Sequence, residues 1–112
     1  MNNPIALITG ATSGIGEASA RIFAPTHRLI ICGRRKSRLE VLEKELSHTT
    51  DVFSLSFDVS KRNQVQSALE ELPEQWRKVA LLVNNAGNAH GLASIQDGEV
   101  EDWEAMMDIN VK

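Results

Sequence analysis

Three glycines set between a short apolar run and a helical pattern constrain this chain more than any other feature. Residues 5–8, Ile5-Ala6-Leu7-Ile8, are continuously apolar and lead into Thr9-Gly10-Ala11-Thr12-Ser13-Gly14-Ile15-Gly16. A short apolar run closed by glycine reads as a buried strand. After it, Ile15, Ala18, Ile22 and Phe23 recur at helical spacing. A strand, a tight turn and a helix in that order aim free backbone N–H groups and a positive helix end into one crevice, where a pyrophosphate fits. Gly10 permits the bend, Gly14 lets a ligand approach the backbone, and Gly16 lets the helix pack closely. The alternative is a glycine-rich turn that holds nothing, and the order of strand, turn and helix counts against it.

The rest of the chain repeats the alternation. Residues 29–32 form a second apolar run, closed by Gly33. Leu39, Leu42 and Leu46 then share a helical face, with Ser37 as the expected N-cap. Over 52–57, Phe53, Leu55 and Phe57 alternate with Ser54 and Ser56, which predicts a strand with one polar face, suited to a sheet edge. Val65, Ala68, Leu69 and Leu72 mark another helix, expected to cap at Ser60 and not to continue past Pro73. Residues 79–83 are apolar throughout and therefore central. A last helix is expected from about Glu99, burying Val100, Trp103 and Met107. Four such alternations predict an α/β fold, a doubly wound parallel sheet with helices on both faces. With the third strand at an edge and the fourth central, the order is 3-2-1-4, the Rossmann arrangement. Its 112 residues suit one dinucleotide-binding domain spanning residues 1–112.

Several function classes fall away. The net charge is −3 and no long basic stretch exists, so nucleic acid is not an expected partner. No apolar run is long enough to span a bilayer, and no membrane partner is expected. Met1-Asn2-Asn3-Pro4 lacks the basic and apolar parts of a signal peptide. The one cysteine, Cys32, sits in an apolar run and reads as a small core residue. Together these predict a cytoplasmic protein. No Cys/His set has metal-ligand spacing.

Cofactor choice is written at the end of the second strand. A Rossmann site that takes NAD places an acidic residue there, about 20 residues beyond the glycines, to hold the ribose 2′-hydroxyl. Here the sequence is Cys32-Gly33-Arg34-Arg35. No carboxylate is offered, and two guanidinium groups suit a 2′-phosphate because their planar forks give charge-assisted, bidentate hydrogen bonds. The expected cofactor is NADP(H), with Arg34 the principal contact and Arg35 beside it. The alternative, a solvated basic helix start, is weakened because basic residues there oppose the helix dipole.

The spacing T-G-x-x-x-G-I-G closely resembles the nucleotide fingerprint of the short-chain dehydrogenase/reductase family. Asn84-Asn85-Ala86-Gly87 resembles that family's N-N-A-G motif, and Asp58-Val59 resembles its adenine-contacting pair. Asp108-Ile109-Asn110-Val111 resembles the helix segment that carries its structural and catalytic asparagine. The resemblance implies a cofactor site made of Gly10, Thr12, Ser13, Gly14, Ile15, Gly16, Arg34, Arg35, Asp58, Val59, Asn85, Ala86 and Gly87. It also implies that Asn110 kinks its helix and positions a water in the catalytic machinery. Leu72-Pro73-Glu74-Gln75-Trp76 and Val100-Glu101-Asp102-Trp103-Glu104 look most like the branch that oxidises small 3-hydroxy acids and serine with NADP. One departure is Ala24-Pro25-Thr26-His27, where the family has a glycine and one more residue.

In that family a tyrosine moves the substrate proton, a lysine four residues later lowers its pKa, and a serine orients the substrate. A phenol needs such a cationic neighbour to titrate near neutrality. This chain has no tyrosine, and Lys112 falls within the last expected helix without a C-cap glycine. The sequence is therefore expected to be a fragment that stops before the catalytic segment, inactive by itself, with one flank of the fourth strand open. A full-length protein is expected to act on a small-molecule substrate as a homo-oligomer. Two alternatives stay open: a non-catalytic NADP-binding sensor and a non-functional remnant. His90, beyond N-N-A-G, is read as a solvated loop residue, or as one approaching the nicotinamide.

Overall fold

All five residues of the first strand, β1 (Ile5–Thr9), are buried, as a central strand covered on both faces requires. The computed structural model describes residues 3–58 and 61–85, and the backbone of Met107–Asn110. Around β1 lie β2 (Arg28–Gly33), β3 (Val52–Ser56), β4 (Val79–Asn84) and β5 (Met107–Asn110), all parallel, in the order β3-β2-β1-β4-β5. Among the described residues three α-helices lie between the strands: α1 (Gly14–Phe23), α2 (Lys36–Leu46) and α3 (Arg62–Glu70). The strands thus lie within a residue or so of their apolar runs, and β3, half-buried along most of its length, is an edge. Among the described residues no helix is long and apolar enough to cross a membrane.

The alternation of side chains along β1 divides the core in two. Ala6 and Ile8 join Leu29 and Ile31 beneath α1 and α2, where Ala20, Leu39, Leu42 and Leu46 close the layer. Ile5 and Leu7 join Ile30 and Leu82 on the opposite face, under Val65 and Leu69 of α3 and Trp76 beyond it. This is the doubly wound arrangement, helices on both faces of one parallel sheet.

Several expectations need correction. The helix expected around Met107 is instead strand β5 over Met107–Asn110, paired with β4 from Leu81↔Met107 to Asn84↔Asn110. Met107-Asp108-Ile109-Asn110 alternates with period two, and β4 would otherwise present a row of unpaired backbone groups at its outer edge. The flank expected to be open is therefore occupied. The expectations for Val100 and Trp103 fall outside the described residues. In α1 the sheet-facing residues are Gly16, Ser19 and Ala20, whereas Ile15 and Ile22 are 46% and 71% exposed. Small residues face inward because the helix lies too close to the glycine turn for branched ones. α2 is capped at Arg35, not Ser37, and α3 at Lys61, not Ser60. Finally, α3 ends at Glu70, so Leu72 is buried beyond the helix, and Pro73 caps a 3-10 turn at Glu74–Trp76.

The short loop after α1 folds without a glycine. The Thr26 and His27 N–H groups donate to the Phe23 carbonyl at 3.1 and 2.9 Å. These bonds reverse the chain with ordinary backbone angles, so no left-handed residue is required there.

Candidate functional site

The registers Thr9↔Asn84, Gly33↔Ser56 and Asn84↔Asn110 bring the carboxyl ends of all five strands to one edge of the sheet. In the order β3-β2-β1-β4-β5 the sheet grows away from β1 in one direction through β2 and in the other through β4. At such a switch point, in the crevice outside the carboxyl ends of the strands, ligands of open α/β sheets bind.

The glycine turn is pinned from three directions. Gly10 has φ 60°, the left-handed region that only glycine adopts without strain. The Ala11 N–H donates to the Cys32 carbonyl at 3.0 Å, tying the turn to β2. The Ser13 N–H and hydroxyl both donate to the Gly10 carbonyl, at 3.1 and 2.7 Å. The same hydroxyl accepts the Gly16 N–H at 3.1 Å, so Ser13 is the N-cap of α1. Gly14 and Ile15, the first two helical residues, have N–H groups with no intrahelical acceptor by the geometry of any helix start. A Cβ at Gly14 would meet no atom within 4 Å, so the space beside this residue at the helix start is open.

Thr9 joins β1 to β4 at the rim of the crevice. Its hydroxyl donates to Asn84 Oδ1 at 2.9 Å and accepts the Asn85 N–H at 3.1 Å. Asn85 Nδ2 donates to the Thr9 carbonyl at 3.2 Å. These bonds hold the Asn85 side chain, yet its Oδ1 is buried without a hydrogen-bond partner among the described residues. Such an acceptor costs about 1–3 kcal/mol unless a donor reaches it. A bound ligand with a hydroxyl at the crevice would supply one. Sequence reasoning named Asn85 but passed over Thr9, whose position at the strand end opposite the paired asparagines was the available signal.

Beyond β2 the backbone is fixed while the cations are left free. The Phe57 N–H donates to the Gly33 carbonyl at 2.9 Å, and the Ser56 hydroxyl reaches the Arg34 carbonyl at 3.5 Å. Arg34, Arg35, Lys36 and Arg38 are exposed, and among the described residues none forms an ion pair. The first turn of α2 carries no acidic residue. Three arginines and a lysine at a positive helix end repel one another, and an anion relieves that. Asp58 lies at the end of β3, its N–H donating to Gln64 Oε1 at 2.9 Å. Cys32 is buried and apolar surroundings hold its thiol far above the ordinary range, so it offers no thiolate.

Of the residues singled out from the sequence, Gly10, Thr12, Ser13, Gly14, Ile15, Gly16, Arg34, Arg35, Asp58 and Asn85 fall on this one edge. Val59, Ala86, Gly87 and His90 lie outside the described residues, as does the side chain of Asn110, whose backbone pairs with Asn84. Among the described residues no group of three or more His, Cys, Asp and Glu is placed to hold a metal. The open helix start at Gly14, the orphaned Asn85 acceptor and the arginines without an ion-pair partner among the described residues fit a dinucleotide carrying an extra phosphate.

Comparison with known proteins agrees with this geometry. A family model described as short chain dehydrogenase matches residues 4–112. Sulfoacetaldehyde reductase 2 of Chromohalobacter salexigens is 49% identical over 109 residues, covering 96% of this chain and 43% of that protein. The NADP-dependent 3-hydroxy acid dehydrogenase YdfG of Salmonella typhimurium is 45% identical over 109 residues, with the same coverages of 96% and 43%. This chain therefore spans less than half the length of these two relatives. Among solved structures, serine dehydrogenase from Escherichia coli is 41% identical with a TM-score of 0.69, over 91% of this chain and 47% of that one.

Proposed function

The chain belongs to the short chain dehydrogenase family, and on that premise we propose that it forms the NADP(H)-binding part of an oxidoreductase. The whole protein would move a hydride between the nicotinamide and a hydroxyl or carbonyl group of a small 3-hydroxy acid. The observation that carries the cofactor choice is the cation cluster after β2. Arg34 and Arg35 stand where an NAD site would offer a carboxylate, and they have no ion-pair partner among the described residues. Relatives described as an NADP-dependent 3-hydroxy acid dehydrogenase and a serine dehydrogenase support the substrate class.

In this reading the amides of Gly14 and Ile15 hold the pyrophosphate, and Arg34 and Arg35 hold the 2′-phosphate. Asp58 borders the adenine, and Asn85 Oδ1 accepts a hydrogen bond from the cofactor. The bound nicotinamide supplies the hydride donor or acceptor. The residues here bind and orient it, and Asn110 is assigned to the catalytic machinery by its motif alone. The 112 residues contain no tyrosine, so the group that moves the substrate proton in this reading is not among them.

Equilibrium titration with NADPH and NADH tests the reading. Arg34→Asp should reduce the preference for NADPH by about tenfold or more, since a charge-assisted pair is replaced by repulsion. An unchanged ratio of the two affinities overturns it. The substrate class is tested with the full-length enzyme, by oxidation of serine and 3-hydroxypropionate with NADP.

A further inference from the structure

On the α1/α2 face of the sheet, a cavity of about 400 Å³ opens beside the glycine turn, lined by Thr12, Glu17, Ser37, Arg38, Val41, Leu42 and Glu45. Its polar wall is contradictory for an anion-binding neighbourhood. Thr12 belongs to the turn and Arg38 to the unpaired cation cluster, yet two carboxylates, Glu17 and Glu45, line the same space. The structure resolves the contradiction through Arg21. One arm of its guanidinium, Nη2, donates to Glu17 Oε1 at 2.9 Å within α1, and the other, Nη1, donates across to Glu45 Oε2 on α2. Both acids are thereby turned to one cation that does not itself line the cavity.

We propose that Arg21 is a positioning residue for the phosphate end of the dinucleotide site. By holding Glu17 and Glu45 it keeps Arg38 unpaired and the cavity accessible to a phosphate. The inference rests on the NADP(H) reading above. As a stability device the bridge is weak, because its groups are 44–49% exposed and exposed pairs contribute little. Its electrostatic effect is different in kind. Arg21, Glu17 and Glu45 together carry −1, and without the arginine they carry −2 beside a site built for a dianion. One of the freed carboxylates would also be available to Arg38, which shares the cavity with both. No motif marks Arg21, since its two partners lie 4 residues back and 24 residues ahead.

The test uses two probes that differ only by the phosphate in question, adenosine 2′,5′-bisphosphate and 5′-AMP, titrated at low salt against this protein and its variants. Arg21→Gln should weaken the bisphosphate by roughly fivefold and leave 5′-AMP unchanged, and the gap should shrink at high ionic strength. Adding Glu17→Gln and Glu45→Gln to that variant should restore bisphosphate binding, which a purely structural role for Arg21 would not allow. Thermal melting of each variant checks that it is folded. Equal loss for both probes, no loss for either, or failure of the triple variant to recover overturns the proposal. If the unsubstituted protein binds the two probes equally, the NADP(H) reading itself fails, a separate outcome.

Discussion

A Cβ at Gly16 would stand 1.8 Å from the carbonyl oxygen of Gly10. That oxygen cannot move aside, because it accepts both the N–H and the hydroxyl of Ser13. The start of α1 is therefore pressed against the glycine turn proposed to hold the cofactor, and the close approach fixes where the helix end points. Gly16→Ala should lower stability by about 3 kcal/mol through backbone displacement. Urea unfolding measures this. A loss below about 1 kcal/mol would mean that the turn yields more easily than its bonding suggests.

Gly14 makes the opposite case two residues earlier. Nothing lies within 4 Å of the position its Cβ would take, and it is already helical. Alanine is the better helix former by about 1 kcal/mol, so Gly14→Ala should leave stability unchanged or improve it. The added methyl would occupy the open space at the helix start, and NADPH affinity should fall by about tenfold. Unimpaired binding with improved stability would move the pyrophosphate away from this turn.

Thr9→Val keeps the shape of the side chain and removes its hydroxyl. Asn84 Oδ1 would lose its donor and the Asn85 N–H its acceptor, both half-buried at the end of β4. The expected cost is about 2–3 kcal/mol, since two partly buried groups are left unpaired. Thr9→Ser should recover most of it. Denaturation of the pair of variants separates the hydroxyl from the methyl, and equal stability of valine and threonine would show the network to be dispensable.

The strands were legible because a buried parallel strand has little choice of composition, and residues 29–32 and 79–83 display it openly. Which face of α1 is buried was not. Ile15 and Ile22 are the larger apolar groups and set the apparent stripe, but the close contact at Gly16 admits only glycine, serine and alanine beneath the helix. Periodicity gives a helix its period and not its phase when both sides carry apolar residues. The segment around Asn110 failed for a related reason. Four residues of alternating pattern fit a strand as well as a helical turn, and only the open edge of β4 decides between them. At the site, the glycines and Arg34 could be named because each has a local reason to be where it is. Arg21 could not, because its role exists only once α1 and α2 lie side by side.

Cys32 provides a pH test of the core beneath the site. Burial raises its thiol pKa in the folded protein, so the folded state keeps a proton that the unfolded chain releases near pH 8.5. Stability from this source is fully present below the unfolded value and is lost as pH rises from there toward the folded one. At about pH 10 the loss should reach about 2 kcal/mol relative to neutrality. Cys32→Ala carries a cavity penalty that does not depend on pH, so its stability should fall less steeply over the same interval. Chemical denaturation of both proteins at neutral and alkaline pH isolates the difference. Parallel pH profiles, or rapid labelling of Cys32 by a thiol reagent under native conditions, would mean that β2 is open to solvent beside the glycine turn.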